Sequence, residues 1–110
     1  MALLAMCMPI LPGKKQMWLD MIAKLNEEPM ATAFKQSRKD AGVHERSFLQ
    51  ETPAGDFAIL TFEGDNPVES FGKIMAGMDA DFAAFGKEVH GLDVEAGPPP
   101  MPTLVFDSES

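Results

Sequence analysis

Two histidines, one cysteine and a pair of aspartates are the residues best suited to chemistry in this 110-residue chain. His44 stands beside Glu45 and close to Arg46, in "VHERS". An imidazole there would serve as a general base, or as a hydrogen-bonding group at the mouth of a pocket. The plainer role is a surface histidine that follows a loop. His90 precedes Gly91 at a helix end, where an imidazole favours the dipole and the terminal carbonyls. Cys7 sits between Met6 and Met8, with no cation nearby to activate its thiol, and reads as a buried structural residue. Asp79 and Asp81 lack a third ligand at metal-binding spacing, so helix-start capping accounts for them better. His44-Glu45 lacks the second histidine of a zinc helix. There is no phosphate loop, CxxC pair or nucleophile elbow. No metal and no cofactor is expected, and tyrosine is absent altogether.

The chain's bulk properties narrow its partners. A formal net charge of −8 disfavours nucleic acid and anionic membrane surfaces, both of which call for clustered Lys and Arg. A hydrophobic content of 45% suits one globular domain over residues 1–110. No apolar run reaches the length of a membrane span. The opening "MALLAMCMPILP" has no basic start and ends in prolines, unlike a secretory signal, and Met6 stands where a lipoprotein box needs a small residue. With a single cysteine, no internal disulfide can form, which fits a cytoplasmic setting.

The elements that must position these residues alternate along the chain. Residues 2–10 read as a strand, with Leu4, Met6 and Met8 on one face and Leu3 and Cys7 on the other. A helix follows with Met17, Trp18, Met21, Ile22 and Leu25 on one stripe. Pro29 interrupts it. The next helix turns Met30, Ala33, Phe34 and Ala41 inward and Lys35, Arg38 and Lys39 outward, and Gly42 caps it. Residues 44–51 and 57–63 form a hairpin around "TPAGD". Ser47 and Leu49 share one face of its first strand, and Arg46, Phe48 and Gln50 the other. Phe57 and Ile59 oppose Ala58, Leu60 and Phe62 in the second.

Asn66, Pro67 and Glu69 make a helix start, with Val68, Phe71, Ile74, Met75 and Met78 as its buried stripe. Asp79 opens a further helix that buries Phe82, Phe85 and Val89 and ends at Gly91. Residues 97–102 form a Pro-rich connector to a short last strand, "TLVF". Strand, helix pair, strand, strand, helix pair, strand is the split βαβ, ferredoxin-like order. It is an α+β fold of one antiparallel sheet with helices on one face. The strands at 2–10 and 57–63 read as central, and the strand at 44–51 as an edge. Their second apolar face then needs a cover, which a second copy in a homodimer supplies.

"LPGK" after an apolar strand, followed by "ERSFLQETPAGDFAILTFEGDNP", resembles an uncharacterised bacterial branch of the dimeric α+β barrel superfamily. The similarity spans residues 3–94. It implies two ferredoxin-like subunits packed sheet to sheet. Members of the superfamily include cofactor-independent monooxygenases, lactone isomerases, dye- and haem-handling enzymes and ligand-sensing modules, so the fold does not select an activity. No catalytic residue carries over from this branch.

Nine Met and eight Phe remain to be placed. Core packing explains any one of them. Together, Trp18, Met21, Phe34, Phe48, Phe71 and Phe85 suit a cleft between sheet and helices, with Arg46, or else His44, holding the polar end of a small hydrophobic ligand. The leading expectation is a binding module for an apolar or amphipathic molecule. A cofactor-independent monooxygenase or isomerase is the alternative, and a ligand-free dimeric scaffold the third.

Overall fold

A computed structural model describes residues 2–97 and 99–109, so Pro98 of the connector and both chain ends lie outside the described residues. The elements run β1 (Ala2–Ile10), α1 (Lys15–Leu25), α2 (Met30–Ala41), β2 (Val43–Thr52), β3 (Gly55–Gly64), α3 (Pro67–Ala76) and α4 (Ala80–His90). A 3₁₀ turn at Val94–Ala96 follows. The sheet is antiparallel with three strands in the order β1-β3-β2. This α+β arrangement of one sheet and four α-helices is compatible with the ferredoxin-like order.

Local sequence sets most boundaries. Asn66 Oδ1 accepts from the Glu69 backbone N–H at 3.4 Å, and Asn66 Nδ2 donates to Glu69 Oε2 at 3.0 Å. The Asn–Glu pair thus caps α3, with Pro67 in the first turn, where no N–H is needed. Asp79 Oδ1 accepts from Phe82 N–H at 2.8 Å and starts α4. Gly42 and Gly91 close α2 and α4 with φ of 82° and 71°, the left-handed region where a Cβ is strained. The start of α2 was not read as capped. There the Glu28 carboxylate accepts from both the backbone N–H and the hydroxyl of Thr32. Those bonds hold the carboxyl below the usual carboxylate range.

Strand alternation divides the sheet cleanly. Leu4, Met6, Ile10, Ala58 and Phe62 are buried against the helices. Two clusters form there. One joins Leu4, Met6, Val43, Phe62 and Phe71, and the Phe62 and Phe71 rings meet edge-on with centroids 5.4 Å apart. The other joins Ile10, Trp18, Ala58 and Val89. The opposite sheet face has no helix over it, and there Leu3, Cys7 and Phe48 are exposed.

Several expectations are corrected. Residues 103–106 form no strand, and their apolar side chains stand in solvent. Without a fourth strand beside it, β1 is an edge, and only β3 is central. Cys7 is exposed in the single chain, because its parity in β1 points it away from the helices. Val68 is exposed and Ser70 buried, so the inward stripe of α3 runs through Pro67, Ser70 and Phe71. In α2 the buried position is Ala31, and Met30 is exposed. Residues 31, 34, 38 and 41 lie at helical spacing, which carries Arg38 inward with Phe34.

Candidate functional site

Between the sheet and the helices lies a small cavity of about 90 Å³. Its lining includes Trp18 and Met21 from α1, Phe34 from α2, Phe71 from α3 and Phe85 from α4. Those five were expected at such a cleft, and they meet there because each lies on its helix's inward stripe. A wider groove of about 460 Å³ opens between α2 and the α3–α4 junction, lined by residues such as Ala33, Ser37, Lys73 and Gly77. Phe34, Arg38, Ile74, Met78 and Phe82 border both spaces. These five residues separate the groove from the cavity, and one of them is a flexible methionine. The groove lies in the size range of small-molecule sites, and the cavity below it.

The remaining expected residues are elsewhere. His44, Arg46 and Phe48 alternate in β2 with Glu45, Ser47 and Leu49, and parity sends the two sets to opposite sides of the sheet. Glu45 and Ser47 line the cavity, whereas His44, Arg46 and Phe48 lie on the uncovered face. There Arg46 Nη1 is 3.6 Å from Glu63 Oε1, both exposed. Arg46 and His44 are thus not the polar anchors of the cleft.

Arg38 lines both the groove and the cavity. Its Nε donates to Glu45 Oε1 at 2.7 Å, its Nη1 donates to Ser37 Oγ at 3.0 Å, and its guanidinium lies 3.9 Å from the centre of the Phe34 ring. The side chains of Arg38 and Glu45 are only 17% and 10% exposed. A planar guanidinium held by a carboxylate on one edge and an aromatic face beneath it is well fixed in orientation. The pair is neutral in sum and offers both donors and acceptors at the junction of groove and cavity. Strand parity groups Glu45 with Ser47 and Leu49 and apart from Arg46 and Phe48, so the helix-facing side of β2 is the one opposite to that expected for the cleft.

His90, the last residue of α4, also reaches the cavity. Its ring meets Phe85 edge-on at 6.3 Å. Its Nδ1 donates to the Pro9 carbonyl oxygen at 2.8 Å. A carbonyl only accepts, so Nδ1 carries the proton and the neutral ring keeps a lone pair on Nε2. Burial pushes the imidazole below its ordinary value of 6.5, and the bond to Pro9 opposes the shift more weakly. No group of three or more His, Cys, Asp or Glu among the described residues is arranged to hold a metal ion. No described helix is long and apolar enough to cross a membrane. No family model, curated protein or solved structure matches the chain.

Proposed function

We propose that this chain is a homodimeric binding protein for a small apolar or amphipathic molecule, held between its sheet and its helices. The observation that carries the reading is the position of the Arg38–Glu45 pair at the junction of groove and cavity. An apolar body would lie along Phe34, Ile74, Met78 and Phe82, and its polar end would meet the guanidinium. Rotation of Met78 and Phe82 would join the two spaces. The setting is the cytoplasm, and the architecture is that of a dimeric α+β barrel subunit. Native mass spectrometry of the purified protein tests for a retained ligand. Calorimetry with medium-chain acids and aromatic compounds tests added ones. Binding that weakens about tenfold in Arg38→Ala, the loss of roughly one charge-assisted hydrogen bond, is expected. No retained ligand and no heat of binding for any compound would retire the reading.

His90 supports a second reading, a cofactor-independent monooxygenase or isomerase. A neutral imidazole with a free acceptor nitrogen beside an apolar cavity is suited to removing a proton from a bound substrate. Turnover of a retained ligand that disappears in His90→Gln, with binding intact, would select the enzyme over the binder.

The homodimer is proposed through the uncovered sheet face. Cross-strand rows there place Cys7, Ile59 and Phe48 side by side, and Pro9, Phe57 and Gln50 next to them. Leu3, Glu63 and His44 form a more polar row at the other end. Two copies related by a two-fold axis would bury the apolar rows against each other. Sedimentation should give a dimer at micromolar concentration and a monomer for Ile59→Asp. A folded monomer of the unaltered chain would sink the proposal.

A further inference from the structure

Each chain carries half of an unmade β-ladder twice over. The first half is the outer edge of β1. In an antiparallel pair, a residue sends its N–H and C=O to the same side, and successive residues alternate. The Pro9 carbonyl is taken by His90 and so faces away from β3. By alternation, Leu3, Ala5 and Cys7 also direct their backbone groups outward. The C-terminal part of this edge is closed: proline has no N–H, and Leu11 N–H donates to the Val89 carbonyl of α4 at 2.8 Å. The N-terminal part takes no backbone partner among the described residues.

The second half is the segment 103–106. Its sequence, Thr-Leu-Val-Phe, is β-branched and aromatic, the composition that favours strands. Yet among the described residues it pairs with no strand, and Leu104, Val105 and Phe106 are 78%, 90% and 77% exposed. Three consecutive large apolar side chains in water are costly unless something covers them. Met101 packs against the cluster that holds Leu4 and Met6 of β1, which ties the chain just before the tail to the globule.

We propose that residues 103–106 of one chain add as a fourth strand to the outer edge of β1 in a second copy, and that the exchange is reciprocal. Each copy supplies the strand that the other lacks. A two-fold exchange satisfies both free edges and covers both tails in a closed assembly. It also removes an edge open to further pairing. The exchange requires a second copy, as the homodimer reading does, but it does not depend on packing through the uncovered sheet face.

Amide hydrogen exchange at Ala5 and Cys7 tests it, alongside sedimentation. Three chains are compared: the full chain, a chain ending at Pro102, and Leu104→Pro with Val105→Pro. The double substitution keeps the tail but removes two successive N–H donors. In the full chain both amides should exchange at least about tenfold more slowly than in the other two, an opening cost of about 1.4 kcal/mol. The protection should fall on dilution into the monomer range. A full chain whose Ala5 and Cys7 amides exchange as fast as in the truncated chain overturns the proposal. So does protection that persists where the chain sediments as a monomer, since the strand would then be on its own sheet. A truncated chain that stays dimeric with an unprotected edge supports both the exchange and the sheet-face dimer. A monomeric truncated chain, with the full chain dimeric and protected, supports the exchange and overturns the sheet-face dimer.

Discussion

Arg38 and Glu45 join α2 to the helix-facing side of β2 through one short bond, Nε to Oε1 at 2.7 Å. Seven positions separate them, and the turn at Gly42 brings them together. Removing one partner leaves the other charge partly buried and unpaired. Arg38→Ala should therefore cost about 2 kcal/mol, a partly buried charged bond being weaker than a fully enclosed one. Arg38→Met combined with Glu45→Leu should recover most of that loss, because no lone charge remains. Urea unfolding of the two variants checks this, and an unchanged midpoint in Arg38→Ala would show that the pair contributes little.

His90 predicts a pH dependence with a definite sign. Its folded-state pKa lies below the unfolded value of 6.5 because burial disfavours the cation. Between those two values the unfolded chain binds more protons, so stability rises with pH there. The stabilisation is fully present above about pH 6.5 and is lost as pH falls through the folded-state value. Thermal unfolding between about pH 7.5 and pH 5.5 should show a drop that is smaller in His90→Gln. Equal slopes for the two proteins would contradict the assignment.

Asn66→Ala should destabilise the protein by about 1 kcal/mol, and Asn66→Gly by less, since glycine is tolerated at a helix N-cap. The alanine variant loses both bonds to Glu69. Calorimetric unfolding of the two variants gives the order directly, and a glycine variant less stable than the alanine one would contradict it.

Gly64 ends β3 opposite Val43, and the Gly42 carbonyl presses on it. A Cβ at Gly64 would collide with that oxygen, which belongs to backbone and cannot swing aside. Gly64→Ala should cost about 2 kcal/mol by overpacking. Gly72→Ala makes a useful contrast: nothing lies near its Cβ position, and alanine favours the helix. Chemical denaturation should place the two variants on opposite sides of the parent.

The two glycines separate two kinds of knowledge. Gly42 was legible as a helix cap, because a cap depends on a few neighbouring residues. Its contact with Gly64 depends on the register between β2 and β3, which no local pattern specifies. The same division holds for the elements and the site. Asn66, Asp79, Gly91 and the turn before Gly55 act within three or four residues, and each was readable along the chain. Strand parity was readable too, and it correctly paired Ser47 with Leu49 and Cys7 with Leu3. Which arginine lies at the cavity between sheet and helices was not. Arg46 suits an anchor because its charge does not depend on pH near neutrality, and Arg38 shares the charged face of α2 with Lys35 and Lys39 in the sequence pattern. Burial of a charge depends on whether a partner waits at the destination, and Glu45 became that partner only when α2 folded back on β2. The role of "TLVF" is likewise non-local. Its residues favour a strand, but a strand exists only where another offers its edge, and the folded chain leaves that segment in solvent. Sequence alone determined the four α-helices, the three strands that form, most of the caps and the two faces of each strand, all short-range properties. Tertiary structure alone decided which strand lies at the centre, which arginine enters the cleft and which edge stays open, because each rests on contacts between segments far apart in the chain.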